Sequence, residues 1–206
     1  KVVPLTHNMG PASARNAGWQ YASQPFVAFL DSDDSWHPQK TEIQLTWMKN
    51  NPEASITGQD CIAIIDEPSE VKHPINDMPF YEVSGAQLLA SNRFSTSSVM
   101  VSSSLSIRFF NGKRYCEDYL LWCHAKFSGY KCFRYLAPLA YSYKPRYGDS
   151  GLSGNLWRME RGELFVYTFL FKQKMIGFGT FFTFGLWSII RFIRRTLKVS
   201  LGMNNL

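Results

Sequence analysis

The amino-acid sequence predicts an α/β domain, and three observations lead to that class. Apolar runs of strand length alternate with helical segments along residues 1–143, which is the pattern of a sheet covered by helices. The chain has 206 residues, enough for one domain of ordinary size with or without an appendage. Its composition, 45% hydrophobic and 18% charged, excludes an intrinsically disordered chain.

The predicted elements follow one another in a regular order. From the amino terminus they are the end of a strand at 1–6, a helix at 10–22, a strand at 26–30, a helix at 38–50, a strand at 55–66, a loop at 68–80, a helix at 84–91, a strand at 98–101, a helix at 117–128 and an extended segment at 131–143. Because the chain opens inside a strand and without an initiator methionine, we expect an amino-terminal part to be missing.

Prolines set most of the early boundaries. Pro11 lies in the first turn of the first helix, where its missing N–H costs no hydrogen bond. Pro25 ends that helix, and the five apolar residues at 26–30 have the length of a buried strand. The second helix starts near Pro38 and stops before Pro52. Each boundary therefore follows from a residue that cannot continue the element before it.

Composition decides the later elements. The apolar run at 61–65 predicts a strand, and the prolines within 68–80 predict a loop. Two acids, Glu117 and Asp118, open the last helix of the domain, where the helix dipole favours negative charge. That dipole effect alone is sufficient to explain both acids, so a catalytic role needs further support.

Three carboxylates follow the predicted buried strand at once. Asp31, Asp33 and Asp34 fall within four positions and repel one another unless a cation or solvent screens them. At the carboxyl end of a central strand they face the crevice where α/β proteins bind ligands. Hard oxygen donors there suit Mg²⁺ or Mn²⁺ held partly by a substrate's phosphates. A solvated acidic turn is the alternative. A calcium loop is excluded, because it demands glycine where this chain has Trp36.

The net charge of +6 is confined to the carboxyl-terminal tail. Residues 1–170 contain 16 basic and 16 acidic side chains, whereas 171–206 contain six basic side chains and no acid. The overall charge is therefore no sign of nucleic-acid binding by the main domain. Basic residues mixed with aromatic and aliphatic ones predict an anionic membrane surface as the partner of the tail, over residues 175–198.

The tail is predicted to be helical and to lie on a membrane. Residues 175–190 carry no charge, but sixteen residues fall short of the about 20 that span a bilayer. Arg191, Arg194, Arg195 and Lys198 share one helical face, which we expect to meet lipid phosphates. A tilted span and an ordinary buried helix pair are the alternatives. The change of composition predicts two units, a domain at 1–163 and a membrane-associated tail at 164–206.

The remaining reactive residues give no pattern of a site. Cys61, Cys116, Cys123 and Cys132 lack CxxC and zinc spacing and predict buried free thiols in a reducing compartment. The four histidines show no paired spacing.

Three stretches together resemble glycosyltransferase family 2, the inverting nucleotide-sugar transferases of GT-A fold. Residues 8–18 are similar to the family's N-x-G-x-x-x-A-R-N-x-G segment, and residues 26–40 to its stretch ending in DxDD-x-W-x-P-x-K. Residues 117–122 are similar to E-D-Y-x-L-W. The three occur in the family's order, and the resemblance covers about 160 residues. It implies a mixed sheet flanked by helices, incomplete at the amino terminus, followed by a helical hydrophobic segment.

The resemblance also implies roles for the donor side of the site. Asp33 would be the direct ligand of Mn²⁺ or Mg²⁺, with Asp31 nearer the sugar or ribose. The family pattern places further donor contacts in the same two stretches, at Asn8, Arg15, Asp34 and Trp36. The family's early acidic residue, which holds the nucleotide base, would lie in the amino-terminal part that we expect to be missing.

The same resemblance implies the chemistry. Asp118, or its neighbour Glu117, would be the general base for an inverting transfer from a nucleotide sugar, with UDP as the expected nucleotide. The acceptor would be a glycan, lipid-linked as in bacterial relatives, in surface polysaccharide synthesis at the cytoplasmic face of the inner membrane. The loop at 143–154 departs from the family because it has no histidine, so any phosphate contact there would fall to Lys144, Arg146 or Ser150.

Two other functions remain open at this point. A nucleotidyltransferase shares the fold and the acidic metal site, but it has no use for Glu117 and Asp118 and releases pyrophosphate. A non-catalytic nucleotide- or glycan-binding module on a membrane would be indifferent to Asp118→Asn. A hydrolase nucleophile elbow is excluded, because residues 151–154 fail G-x-S-x-G.

Overall fold

A computed structural model describes residues 2–59, 79–143 and 154–201 and the backbone of 61–63. The helices are α1 (Gly10–Gln20), α2 (Lys40–Asn50), α3 (Gly85–Ala90), α4 (Glu117–Phe127), α5 (Leu156–Lys172) and α6 (Phe178–Ser200). The strands are β1 (Phe26–Ala28), β2 (Asp34–Trp36), β3 (Ala54–Gly58), β4 (Cys61–Ala63), β5 (Phe80–Glu82), β6 (Met100–Ser102), β7 (Lys131–Tyr135) and β8 (Ala140–Ser142). The predicted α/β class and the helical carboxyl-terminal segment are both confirmed.

The sheet is mixed, as the family resemblance implied. Five strands lie in the order β1-β6-β3-β7-β5. Both β1 and β3 pair antiparallel with β6, while β7 runs parallel to β3. The carboxyl ends of β1, β3 and β7 therefore meet at one edge of the sheet. Strands β2, β8 and β4 form a second, smaller sheet.

Helices were predicted more accurately than strands. Helices α1 to α4 lie where the sequence places them, and α3 begins with a capping box between Ser84 and Gln87. The predicted strand at 1–6 is wrong for residues 2–6, which pair with no strand among the described residues. The strands β2 and β5 were missed, because three residues are too few to show an alternating pattern and their pairing partners lie far along the chain.

A large hydrophobic core joins the sheet to the last helices. Trp122 of α4, Ile56 of β3 and Val101 of β6 are fully buried in one cluster. Val166 and Leu170 of α5 belong to the same cluster. The compositional boundary at residue 164 therefore falls inside α5, which packs on α4. The division of the chain into two folding units stays a prediction.

The charges of the tail do not all face outward as predicted. Arg191 pairs with Glu163, and Arg195 pairs with both Glu160 and Glu163 of α5. The expectation that these two arginines meet lipid phosphates is wrong, because two buried carboxylates require neutralising cations. Within the described residues, no helix has the length and the apolar character needed to cross a bilayer.

Candidate active site

Ser97 organises the acidic turn that follows β1. The backbone N–H of Asp31 donates to the Ser97 hydroxyl oxygen (3.1 Å), and that hydroxyl donates to a carboxylate oxygen of Asp34. The indole N–H of Trp36 donates to the carbonyl oxygen of Ser97. Since Ser97 is fully buried just before β6, one residue fixes both ends of the acidic turn against the sheet edge.

Arg15 joins the acidic turn to the start of α4. One guanidinium nitrogen lies 2.7 Å from Asp31 Oδ1, and another lies 2.7 Å from Glu117 Oε1. Burial lowers the pKa of Arg15, but the charges of Asp31 and Glu117 outweigh burial and raise it. Arg15 thus remains a cation, and through its two contacts it brings together all three stretches that carry the family resemblance.

The two candidate bases lie in different surroundings. The pKa of Glu117 is raised to about 7, first by burial and then by the charge of Asp118, while Arg15 opposes the rise. The Glu117 side chain is only 8% exposed and is held by Arg15. Asp118 is half-buried and can be reached by an incoming molecule. The geometry therefore favours Asp118 over Glu117 as the base, which stays a prediction.

Two residues that sequence reasoning missed hold the Asp118 carboxylate. Asp118 Oδ2 accepts hydrogen bonds from Asn92 Nδ2 (3.1 Å) and Thr96 Oγ1 (3.2 Å). Its Oδ1 accepts from the backbone N–H of Tyr119 at 2.7 Å. The available signal was the polar run at 91–98 between a helix and a strand, which on composition alone is typical of an ordinary loop.

The acidic turn offers few protein ligands for a cation. Asp33 is exposed, and Asp31 is already paired with Arg15 through one oxygen. Burial raises the pKa of Asp34, and its bond from Ser97 opposes that rise. Among the described residues, no group of three or more His, Cys, Asp or Glu side chains is arranged to hold a metal. Asp33 and the second oxygen of Asp31 fit a cation that takes most of its ligands from substrate phosphates and water.

The other predicted site residues have varied outcomes. Asn8 is exposed, and its side-chain oxygen accepts from the backbone N–H of Gly10 at the start of α1. Trp36 lies behind the acidic turn with its ring 4.1 Å from the Lys40 ammonium group. Lys144 and Arg146 lie outside the described residues. Apart from those two, the predicted side chains all come from the sheet edge or from elements that border it.

Lys40 is fully buried beneath Trp36 and donates to Gln44 Oε1 at 2.7 Å. Burial lowers its pKa from 10.5 to about 7. The unfolded chain binds this proton up to about pH 10, whereas the folded chain releases it near pH 7, so stability rises with pH in between. Burial raises the pKa of Cys132 to about 12 and also raises the pKa of Cys116. Because the unfolded chain releases these thiol protons at a lower pH than the folded chain, the two cysteines lower stability above the ordinary thiol pKa and oppose the effect of Lys40 there.

We therefore expect the free energy of unfolding to increase by about 1–2 kcal/mol between pH 7 and pH 8.5. Lys40→Met should flatten this increase, whatever its effect on stability at a single pH. Urea unfolding at several pH values measures both. A parent protein whose stability is constant over this range, or a Lys40→Met variant that keeps the same slope, would contradict the assignment.

The chain is similar to known proteins over most of its length. A family model described as glycosyl transferase family 2 matches residues 1–111, more than half of the chain. The amylovoran biosynthesis glycosyltransferase AmsE of Erwinia amylovora is 26% identical over 204 residues, 96% of this chain and 73% of that protein. Over a shorter stretch, the Escherichia coli UDP-Glc:alpha-D-GlcNAc-diphosphoundecaprenol beta-1,3-glucosyltransferase WfgD is 48% identical over 52 residues, 25% of this chain and 21% of its own length.

Solved structures share the fold. S. aureus TarS 1–349 in complex with UDP-GlcNAc superposes with a TM-score of 0.57 at 16% sequence identity. The match covers 82% of this chain and 49% of the TarS chain, so the chain spans about half of that structure. At this identity the likeness shows a common fold and does not transfer substrate contacts.

Proposed function

Because the chain belongs to glycosyl transferase family 2, we propose that it transfers a sugar from a nucleoside-diphosphate sugar to a glycan acceptor with inversion, with Asp118 as the general base. The observation that carries this proposal is the placement of Asp118. Its half-buried carboxylate is held by Asn92 and Thr96, and Arg15 ties the neighbouring Glu117 to the acidic turn. The contacts of Arg15 thus bring the proposed base and the acidic turn close together, as a transfer from a diphosphate sugar requires.

One displacement accounts for the reaction. The acceptor hydroxyl oxygen forms a bond to the anomeric carbon as the bond from that carbon to the diphosphate oxygen breaks. Asp118 accepts the hydroxyl proton, and the electron pair of the broken bond leaves with the nucleoside diphosphate. No protein nucleophile is required, so the residues must position the two substrates and receive one proton. Such proton transfer typically contributes about 10²–10⁴-fold to the rate.

A divalent cation, Mn²⁺ or Mg²⁺, would be held by Asp33 and the second oxygen of Asp31. When bound, it supplies Lewis-acid stabilisation of the diphosphate leaving group. The protein's own contribution on this side is the fixed geometry of the turn. Ser97 orders Asp34 and the backbone of Asp31, and Arg15 limits the charge that the carboxylates accumulate.

We propose a UDP-sugar as donor and a lipid-linked glycan as acceptor, in surface polysaccharide synthesis at the cytoplasmic face of the cell membrane. The names of two similar proteins support this choice of substrates. TarS was solved with UDP-GlcNAc, and WfgD is named for a UDP-Glc donor and a diphosphoundecaprenol-linked acceptor. The name of AmsE supports polysaccharide biosynthesis.

The test is donor turnover by the full-length protein, measured with a panel of UDP-sugars in the presence of Mn²⁺ or Mg²⁺. We expect release of UDP that depends on the cation and that Asp33→Ala abolishes without lowering the melting temperature. In a parallel assay with UTP and a sugar 1-phosphate, release of pyrophosphate would indicate a nucleotidyltransferase instead. The absence of turnover with every donor would favour a binding module, and full activity of Asp33→Ala would refute the metal assignment.

A further inference from the structure

Helix α6 turns an apolar stripe away from the protein. Its members recur at every third or fourth position over the whole helix, and each is at least half exposed: Phe178, Phe182, Leu186, Ile190, Ile193 and Leu197. Phe178 is 67% exposed and Leu197 57% exposed, so the stripe is open at both ends of the helix. An apolar face of this length on a helix surface marks a site of contact with another molecule or a membrane.

The opposite face of α6 is fixed to the protein by charge. Ser188 is fully buried and donates to Glu160 Oε1 (2.8 Å) and Glu163 Oε2 (3.0 Å) of α5. Arg191 and Arg195 pair with the same two carboxylates. Because these contacts are internal and specific, the orientation of α6 about its axis is set, and the apolar stripe must face outward.

The charge around the stripe selects an anionic surface. Lys172 at the end of α5 and Lys174 in the turn before α6 are both exposed, and Arg194 is exposed beside the second half of the stripe. Residues 164–206 contain no acid. A second copy of this chain, packed stripe to stripe, would bring these cations together without a carboxylate from either tail. An anionic lipid surface neutralises them instead.

Helix α6 also lies close to the residues around Asp118. Trp187 Nε1 donates to the carbonyl oxygen of Ala90 at the end of α3, two residues before Asn92. On α5, a Cβ added at Gly162 would lie only 2.9 Å from the Cys116 sulfur, directly before Glu117 and Asp118. The helix with the exposed stripe is therefore separated from the candidate base by a single layer of structure.

We propose that α6 docks in the plane of an anionic bilayer through this stripe, and that it thereby places Asp118 close to the membrane. Membrane binding is inferred from α6 alone, whereas the link between membrane binding and the acceptor rests on the proposed function. A lipid-linked acceptor diffusing within the bilayer would then arrive on the side of the base. This replaces the expectation that a cationic helix face binds the lipid, because two of those cations are used internally.

Vesicle flotation of the full-length protein tests the docking. We expect binding to vesicles that contain phosphatidylglycerol and weaker binding to pure phosphatidylcholine. Replacing Phe182 and Ile193 by Ser, which removes two side chains exposed by 61% and 51%, should weaken binding about tenfold or more. The matched control replaces Tyr21 and Leu136 by Ser, exposed by 58% and 51%, and should leave binding unchanged.

Brominated phospholipids test the placement. We expect them to quench the tryptophan fluorescence of the bound parent protein and to quench Trp187→Phe less. Trp47→Phe serves as the control, since Trp47 lies on α2 and stacks on Phe80 of β5. Quenching that is equal in the parent protein and in Trp187→Phe would overturn the placement of α6.

The outcomes separate docking from catalysis. No vesicle binding by the parent protein, or equal loss in the matched control, would overturn the docking. So would a parent protein that is dimeric in solution and becomes monomeric in the stripe variant, because the stripe would then be a self-interface. UDP release from the donor is measured in parallel without membranes and should be unchanged in the stripe variant. Suppose that neither the parent protein nor the stripe variant releases UDP, but that vesicle binding is lost only in the stripe variant. The proposed reaction is then wrong and the membrane docking is supported.

Discussion

Asp118→Asn is expected to lower kcat by about 10²–10⁴-fold. Asn is nearly isosteric with Asp and can still accept hydrogen bonds from Asn92 and Thr96 through one oxygen, so the fold and the donor KM should change little. It cannot take the proton from the acceptor hydroxyl at neutral pH. Steady-state kinetics with the donor identified by the turnover screen, together with a melting curve, measure both parts of the expectation.

Two control variants make this result specific. Thr96→Val removes one hydrogen bond to Asp118 and should lower kcat moderately, whereas Thr96→Ser should restore it. In the Asp118→Asn background, Thr96→Val should have no further effect on kcat, because it acts only through that carboxylate. Near-normal kcat in Asp118→Asn combined with a loss in Glu117→Gln would assign the base to Glu117 instead.

Arg15→Met is expected to destabilise the protein by about 2–4 kcal/mol and to abolish activity. The guanidinium group, 14% exposed, is bound to both Asp31 and Glu117. Its removal leaves two carboxylates of like charge facing each other without their common counter-ion. Arg15→Lys keeps the charge but offers one nitrogen instead of two, so it should recover only part of the stability.

The destabilisation by Arg15→Met should depend on pH with a definite sign. The pKa of Glu117 is already raised to about 7 by burial, and loss of Arg15 removes an effect that lowers it. At pH 6 Glu117 is largely protonated in both proteins, so the lost ion pair matters less. At pH 8 the parent protein keeps the charged pair with Arg15, which the variant has lost. The loss in stability should therefore be greater at pH 8 than at pH 6. Glu117→Gln in the Arg15→Met background should remove that difference, and a loss that is independent of pH would contradict the expected coupling.

The sequence carries a local signal for the acidic turn but none for the residues that hold Asp118. Asp31, Asp33 and Asp34 follow an apolar run, and a strand followed by acids carries its own local signal. Asn92, Thr96 and Ser97 carry none, since their roles come from pairing with residues 22 to 66 positions away. Polar residues in a loop gain a function only when the fold brings a partner to them.

Charge in the tail shows a second limit of sequence reasoning. Spacing alone placed Arg191, Arg194, Arg195 and Lys198 on one helical face. It could not show that α5 presents Glu160 and Glu163 to that face. The two acids precede the tail and were counted with the charge-balanced domain. A periodic pattern identifies a face of a helix, but tertiary packing decides whether that face is inside or outside.

The two contacts of Arg15 also limit where the chain can be cut without separating the residues of the site. Its partners are 16 and 102 positions away, and the stretch that matches the family model ends at residue 111, before Glu117. A fragment cut at that point would keep the acidic turn and lose both the proposed base and one of the two carboxylates that Arg15 binds. The site is thus not a module within the matched stretch. It is completed only when α4, in the middle third of the chain, has folded onto the first third, so recombination between relatives has to exchange both parts together.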